Sequence, residues 1–568
     1  MKKLILLSFV LSLGSTTLFA QNFLSPAWKI SFSDTSATHQ TQFHMENWKN
    51  VNLLLSWERQ GYSWQNGKCC LANKFEIPEQ YLSADLILTL SLQCHVESIY
   101  VNGNYVGGNL ENQFWIHRDA QTVYPIPVDI LLAENNLITI FASDLSYTGG
   151  RTHNLCMLTP TNSDKAPVFE ISIPTENHLF AIDDKNASIN LEYQTQQPGS
   201  IELFIVSDFH DTLVHQTVDI DSGKGTIPFK FTDTITQPGF YECFAMMQSN
   251  GYSGDIRWFA LSPEKIICSN DTIPGFRHYW DDALNELKQI EPEFKVTKDE
   301  ALSAGRRDGY IAEMQSLGGL TIRGYYFVPR TPGKHAAILH VPGYSYGFDE
   351  GKPFMDSQED VIELALCVRG HGISADVFNP GFGIPGIWGY QLCSETDNAY
   401  RSIYMDCVRA VEFLLSRAEV DTSKLYVTGG SQGGGLTLAT AGLCHKQIKA
   451  CAFFDPFMCD TRDQLKIRTM CHEEIKGFLA YYDNPCSFEE ALHVQDLIDT
   501  KGFADWIQCP VLFTTALFDD DCPPHMGFAA YNRIKSPKQF IIYPEDSYLS
   551  ESDAYAKMRK FLLNQAFE

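Results

Sequence analysis

Residues 424–443 read as a strand, a turn built almost wholly of glycine, and a helix. The apolar run ending at Val427 leads into Gly429-Gly430-Ser431-Gln432-Gly433, and Gly434 and Gly435 follow at the head of a helix predicted over 432–443. This junction restricts the fold severely. Glycines flanking the serine let strand and helix approach closely, and the sharp turn lifts the Ser431 hydroxyl above the carboxyl end of a parallel sheet. The surrounding texture supplies that sheet. Strands predicted at 336–341, 424–427, 451–454, 511–516 and 540–543 alternate with helices at 398–416, at 432–443 and from 553, which implies βαβ units and a mainly parallel sheet with flanking helices over 266–568.

The chain of 568 residues is too long for one core, and its first half has a different pattern. Short alternating strands broken by turn residues, among them 86–92, 98–101 and 136–142, predict an all-β sandwich over 21–162. Within it, 96–108 places two strand-like pieces around Asn102-Gly103, the composition of a two-residue hairpin turn. A second β pattern over 163–265, with runs at 201–206, 225–231 and 239–247, predicts an immunoglobulin-like sandwich without a catalytic cluster, best read as a spacer. Trp115 and Tyr124 in the first sandwich are open to two readings, stacking on a sugar or filling a core.

At the N-terminus, Lys2 and Lys3 precede an apolar run from 4 to 13 and small or hydroxylic residues before Ala20. That is the three-part layout of a signal peptide over 1–20, and its apolar run is about half the length of a membrane span, so an exported protein is expected, periplasmic or secreted. No later segment is long and apolar enough to span a bilayer. The 16 cysteines are scattered without a Cys-x-x-Cys pair, so most are expected to be buried small hydrophobes, with disulfides permitted but not assignable. With 69 acidic against 43 basic residues, the formal charge of −26 excludes a nucleic-acid partner, which needs a basic stripe. Cys471-His472-Glu473-Glu474 lacks the i, i+4 histidine pair of a zinc helix and reads as a solvated helix face.

Several segments agree in order with one family. The run 400–457, including Asp406-Cys407-Val408-Arg409 and Asp455-Pro456-Phe457, together with Gly343-Tyr344, Arg369-Gly370-His371-Gly372 and the stretch from Cys509 through Asp519 to Cys522-Pro523-Pro524, resembles the acetyl xylan esterase and cephalosporin-C deacetylase family. The first β-domain resembles the galactose-binding-like jelly rolls that precede many secreted glycan-acting enzymes. The resemblance implies an α/β-hydrolase preceded by two all-β domains. Carried over, it makes Ser431 the nucleophile, Asp519 the acid that orients the base, and the N–H groups of Gln432 and Tyr344 the oxyanion hole. Arg369, Gly429 and Gly433 become supporting residues, with Asp520 and Asp521 as neighbours of Asp519 that could take its place. The implied substrate is an acetylated saccharide, and the chemistry needs no metal or organic cofactor. Family members often form hexamers, which makes a homo-oligomer the implied assembly.

One departure bears on the chemistry. Family members place the catalytic histidine a few residues after a Tyr-Pro pair; here Tyr543-Pro544 is followed by Glu545-Asp546-Ser547-Tyr548, and no histidine occurs after His525. Tyr548 falls at the expected position, and its ordinary pKa of about 10 leaves it protonated at neutral pH. His525 and His371 are the candidates to replace the base, since both lie in loops expected near the strand carboxyl ends. Two readings follow: a serine esterase with an altered base, or a saccharide-binding protein with a catalytically impaired esterase domain.

Overall fold

The computed structural model describes residues 22–564 except 26, 33–44, 54–59, 61–67, 93–94, 109–121, 144–151, 162–167, 196–197, 248–251, 269–271, 345–347, 349–351, 356, 358, 380–385, 520 and 547–552. The segment 1–20, Trp115, Asp520 and Tyr548 therefore lie outside the described residues. Among those described, no helix is long and apolar enough to cross a membrane.

The C-terminal half is built on a nine-stranded sheet in the order Lys295–Lys298, Arg307–Gln315, Thr321–Pro329, Val361–Cys367, His335–His340, Val420–Gly430, Ala450–Phe454, Val511–Ala516 and Lys538–Tyr543. The first three strands and their junction with Val361–Cys367 are antiparallel; from there on every pairing is parallel. The parallel strands are almost continuous apolar runs because helices cover both faces. Asn398 caps the helix Ala399–Ser416 by accepting a hydrogen bond from Tyr400 N–H, and Gln432–Leu443 and Ala554–Asn564 complete the layers near the site. The resulting core is aromatic-rich, with Trp280, Tyr404 and Phe503 in mutual ring contact.

The first half is all β, as the alternation predicts. At Asn102-Gly103 both residues have positive φ, 50° and 80°, and Val101 pairs with Asn104 across a two-residue turn. Tyr124 resolves to its core reading: it is buried, with its ring against Gly107. The two β units keep separate apolar cores but are joined across residue 162 by a shared sheet. One eight-stranded sheet runs through both, in the order Thr212–Ile220, Gly199–Ser207, Gly239–Met247, Tyr252–Leu261, Thr152–Pro160, Leu86–Leu92 and Thr122–Ile126, with Leu179–Phe180 beside Tyr252–Leu261. The join is made where Tyr252 and Ser253 pair with Cys156 and Leu155.

This β region packs directly on the hydrolase. Phe240 and Ala260 belong to the same apolar cluster as the hydrolase interior, and Phe518 inserts into the cluster that holds Leu88, Phe244 and Ile256. Arg257, itself paired with Asp255, reaches Glu545 at 3.6 Å, and His178 reaches the same carboxylate at 3.4 Å. The β region thus touches the hydrolase at Phe518, next to Asp519, and again at Glu545, beside Tyr543-Pro544.

Candidate active site

Ser431 stands between strand Val420–Gly430 and helix Gln432–Leu443 with φ 55° and ψ −123°, a conformation that costs a non-glycine residue about 1–3 kcal/mol and persists only where its surroundings enforce it. They do so here through the backbone. Ser431 N–H donates to Phe454 O at 3.2 Å, while its carbonyl accepts from Phe457 N–H at 2.9 Å and Gly435 N–H at 3.2 Å. Close approach explains the glycines at 429 and 433: a Cβ on Gly429 would lie 2.6 Å from Gly433 O, and one on Gly433 would lie 2.6 Å from Val341 O. The serine is half-buried. Among the described residues its hydroxyl has one hydrogen-bond partner, Cys522 Sγ at 3.7 Å.

The loop opposite is held by the Gln432 side chain. Its Nε2 donates to Gly343 O at 3.0 Å and Pro342 O at 3.3 Å, and its Oε1 accepts from the buried Tyr400 hydroxyl at 2.8 Å. Anchoring the Gly343 carbonyl also sets the direction of the Tyr344 N–H, because the peptide between them is planar and trans. The Tyr344 hydroxyl in turn accepts from Trp388 N–H at 3.1 Å.

His371 belongs to this brace. It is fully buried; its Nδ1 lies 3.2 Å from Arg369 O and its Nε2 3.1 Å from Gln432 Nε2. The pattern requires Nδ1–H to donate and Nε2 to accept, so the ring is neutral, and burial lowers its pKa in the same sense. Both nitrogens are occupied away from Ser431. Arg369 is clamped below by Asp406, whose carboxylate accepts from Arg369 Nε at 2.9 Å, Nη2 at 2.7 Å and backbone N–H at 3.0 Å, and from Ser316 Oγ at 2.5 Å. One polar chain therefore runs Asp406, Arg369, His371, Gln432, Gly343.

Asp519 follows strand Val511–Ala516 and is buried. Its Oδ1 accepts from Cys522 N–H at 2.8 Å and Asp521 N–H at 2.9 Å, which folds the loop so that Cys522 faces Ser431. Asp521 itself turns to Arg468, 2.9 Å away. Beside Asp519 lies Asp455, fully buried and hydrogen-bonded both to Asp519 and, at 2.6 Å, to Thr515 Oγ1. Burial raises the Asp455 carboxyl above its ordinary value, opposed by the Thr515 and Asp519 hydrogen bonds, so Asp455 leans toward its neutral form. A raised carboxyl contributes stability that is present below its unfolded pKa of about 3.9 and is lost as pH rises. Asp455→Asn should accordingly stabilise the protein more at pH 8 than at pH 5, by about 1–3 kcal/mol, in denaturant melts at the two pH values; an equal effect at both would contradict the neutral assignment.

His525 sits at the start of helix Pro524–Arg533, and its Nδ1 bonds Asp208 of the β region at 2.7 Å, so the ring faces the domain junction. Helix Thr469–Tyr481 corrects a sequence expectation: Cys471 and Ile475 are buried, so this is no solvated face. Glu474 on the same helix is pushed up to about 7, first by desolvation, with Arg468 opposing and Asp521 reinforcing, and it raises Tyr400 electrostatically as Tyr344 and Cys522 do. A disulfide between Cys393 and Cys486 ties the segment after Trp388 to the turn beyond this helix. All thirteen free cysteines among the described residues are buried. Cys522, Asp455 and Glu474 are the site residues to which sequence reasoning gave no role, although each lies in a segment it singled out: Cys522-Pro523-Pro524, Asp455-Pro456-Phe457 and Cys471-His472-Glu473-Glu474.

Comparison with known proteins places residues 265–565 on the family model described as Acetyl xylan esterase (AXE1). The acetyl esterase Axe7A of Xylanibacter ruminicola is 25% identical over 354 residues, which cover 60% of this chain and 77% of that protein. Two solved structures are among those similar to this chain. An acetyl xylan esterase from Paenibacillus sp. R4 is 27% identical with a TM-score of 0.49, covering 53% of this chain and 98% of its own. Acetyl xylan esterase 1 from a Thermoanaerobacterium species is 25% identical with a TM-score of 0.48, covering 53% and 97%.

Proposed function

Because the chain belongs to the acetyl xylan esterase family, we propose that it is an exported serine esterase that removes acetyl groups from acetylated poly- or oligosaccharides. The observation that carries this reading is the strained Ser431 turn set against the Gln432-braced Gly343-Tyr344 loop, a half-buried hydroxyl flanked by the loop and helix start that supply an acyl-transfer site's N–H donors. Export is supported by the Lys2, Lys3 and apolar 4–13 pattern.

In this reading Ser431 Oγ attacks the acetyl carbonyl carbon, and the tetrahedral oxyanion is held by the N–H groups of Gln432 and Tyr344. The sugar hydroxyl leaves with a proton, and water then releases acetate from the acyl-serine. Asp519, hydrogen-bonded to Asp455, is the acid placed to orient a base. With Tyr548 at the position of the base, proton removal from Ser431 is inefficient and turnover is slow. An oxyanion hole and binding contacts alone retain about 10³–10⁴ over water.

The test is acetate release from acetylated xylan and p-nitrophenyl acetate. Wild type should exceed Ser431→Ala by at least roughly tenfold. Equal rates for the two proteins would remove Ser431 from the mechanism.

A further inference from the structure

Where the second β-sandwich meets the hydrolase, three ligand-type side chains converge in a buried space that the ester chemistry does not use. Asp460 and Asp463 lie one helical turn apart at the head of helix Thr461–Ile467, and His525 faces them from the head of helix Pro524–Arg533. One ligand atom from each lies within 4.8 Å of the other two, and all three residues are buried. His525 Nε2, on a side chain only 6% exposed, has no hydrogen-bond partner among the described residues, and neither does Asp460 Oδ2. We propose that His525, Asp460 and Asp463 bind a divalent transition-metal ion, of which Zn²⁺ is the type, at the junction of the two domains.

Three features argue for an ion. The first is the other side of the imidazole: Asp208 accepts the Nδ1–H at 2.7 Å, which leaves Nε2, unpartnered among the described residues, as the nitrogen free to ligate. A carboxylate behind the histidine is the usual support of a metal-bound imidazole, orienting the ring and raising its basicity. The second is charge. Asp208, Asp460, Asp463 and Asp499 are all buried, whereas the cations facing them are Lys501, which pairs with Asp460 Oδ1 and lies 3.9 Å from Asp499, and the half-exposed Lys466 on Asp463. Four carboxyl groups thus face two ammonium groups and the His525 imidazole, an acidic surrounding that favours a cation. The third is donor chemistry. One imidazole nitrogen with two carboxylate oxygens suits Zn²⁺ or a similar borderline ion better than Ca²⁺, which takes six to eight oxygens.

The ion is structural in this assignment and stands apart from ester hydrolysis. It ties loop 207–211 of the β region, whose His210 Nε2 also reaches Ile467 O at 2.7 Å, to the segment that carries Cys522 and Asp519.

The experiment uses the full chain, stripped with chelator and titrated with Co²⁺ alone and then with Zn²⁺ as competitor. Expected are one equivalent of Co²⁺ per chain, visible ligand-field absorption without a thiolate charge-transfer band, displacement by Zn²⁺, and a metal-dependent rise in melting temperature. His525→Gln should abolish stoichiometric binding. Asp208→Asn keeps all three ligands and should weaken binding by about 10–100-fold, which provides a readout even if His525→Gln fails to fold. No stoichiometric Co²⁺ binding, a thiolate band, or equal affinity in wild type and Asp208→Asn would overturn the proposal.

Discussion

Tyr548→His should raise the rate of acetate release by about 10²–10⁴-fold, the contribution of a positioned general acid–base group. The expectation follows from what the site already contains. A half-exposed serine in an enforced turn, a braced oxyanion loop, and a buried aspartate held by two backbone N–H groups are the parts a histidine would join. Neutral serine is a poor nucleophile until a group titrating near pH 7 removes its proton, and a phenol at that place has its pKa about three units too high. The gain should appear in kcat and should vanish in the double variant with Ser431→Ala. A pH–rate profile should acquire an acid limb near pH 6–7 as the new imidazole titrates. A Tyr548→His protein no faster than wild type would mean that the base acts from elsewhere.

The largest stability effect is expected beneath the site. Asp406→Ala removes the carboxylate that accepts four hydrogen bonds, three of them from Arg369, and leaves a guanidinium buried at about 4% exposure without its counter-charge. Breaking one side of such a pair costs about 3–5 kcal/mol, far more than the net worth of the intact pair. Equilibrium denaturant melts of the full chain should show that loss, and a double variant that also replaces Arg369 with Met should recover part of it. Because Arg369 O holds His371 and His371 holds Gln432, any Asp406→Ala protein that folds should also have a loosened oxyanion loop and a lower kcat. A cost below about 1 kcal/mol would show that water compensates Arg369.

The readable parts of this chain were those set by local spacing. The strand, glycine turn and helix around Ser431 follow from period and steric need, and the helix at 432–443 and the strand at 511–516 lie where the apolar pattern puts them. Asn102-Gly103 announced its hairpin for the same reason. What sequence could not supply was long-range. The pairing of Tyr252 with Cys156 spans 96 positions, and nothing in either strand marks its partner. His525 lies six positions past Asp519 yet faces the β region, because Pro523 and Pro524 start a helix that turns the ring away. Asp455 and Glu474 looked like ordinary acidic residues; only burial shows that their pKa values are raised. His371 was legible as a candidate but not as a brace, since its role depends on two acceptor and donor groups that meet only in space.

The sheet that runs through both β units has a consequence for how such a chain can be assembled from modules over evolutionary time. A recombination event at residue 162 would separate strands Thr152–Pro160 and Tyr252–Leu261, leaving each with unpaired backbone donors and acceptors, the kind of open edge that recruits foreign strands. The unit that can be gained or lost cleanly is therefore the β pair as a whole. Even that exchange must preserve Asp208, Arg257 and the pocket for Phe518, which join the hydrolase to its β partner.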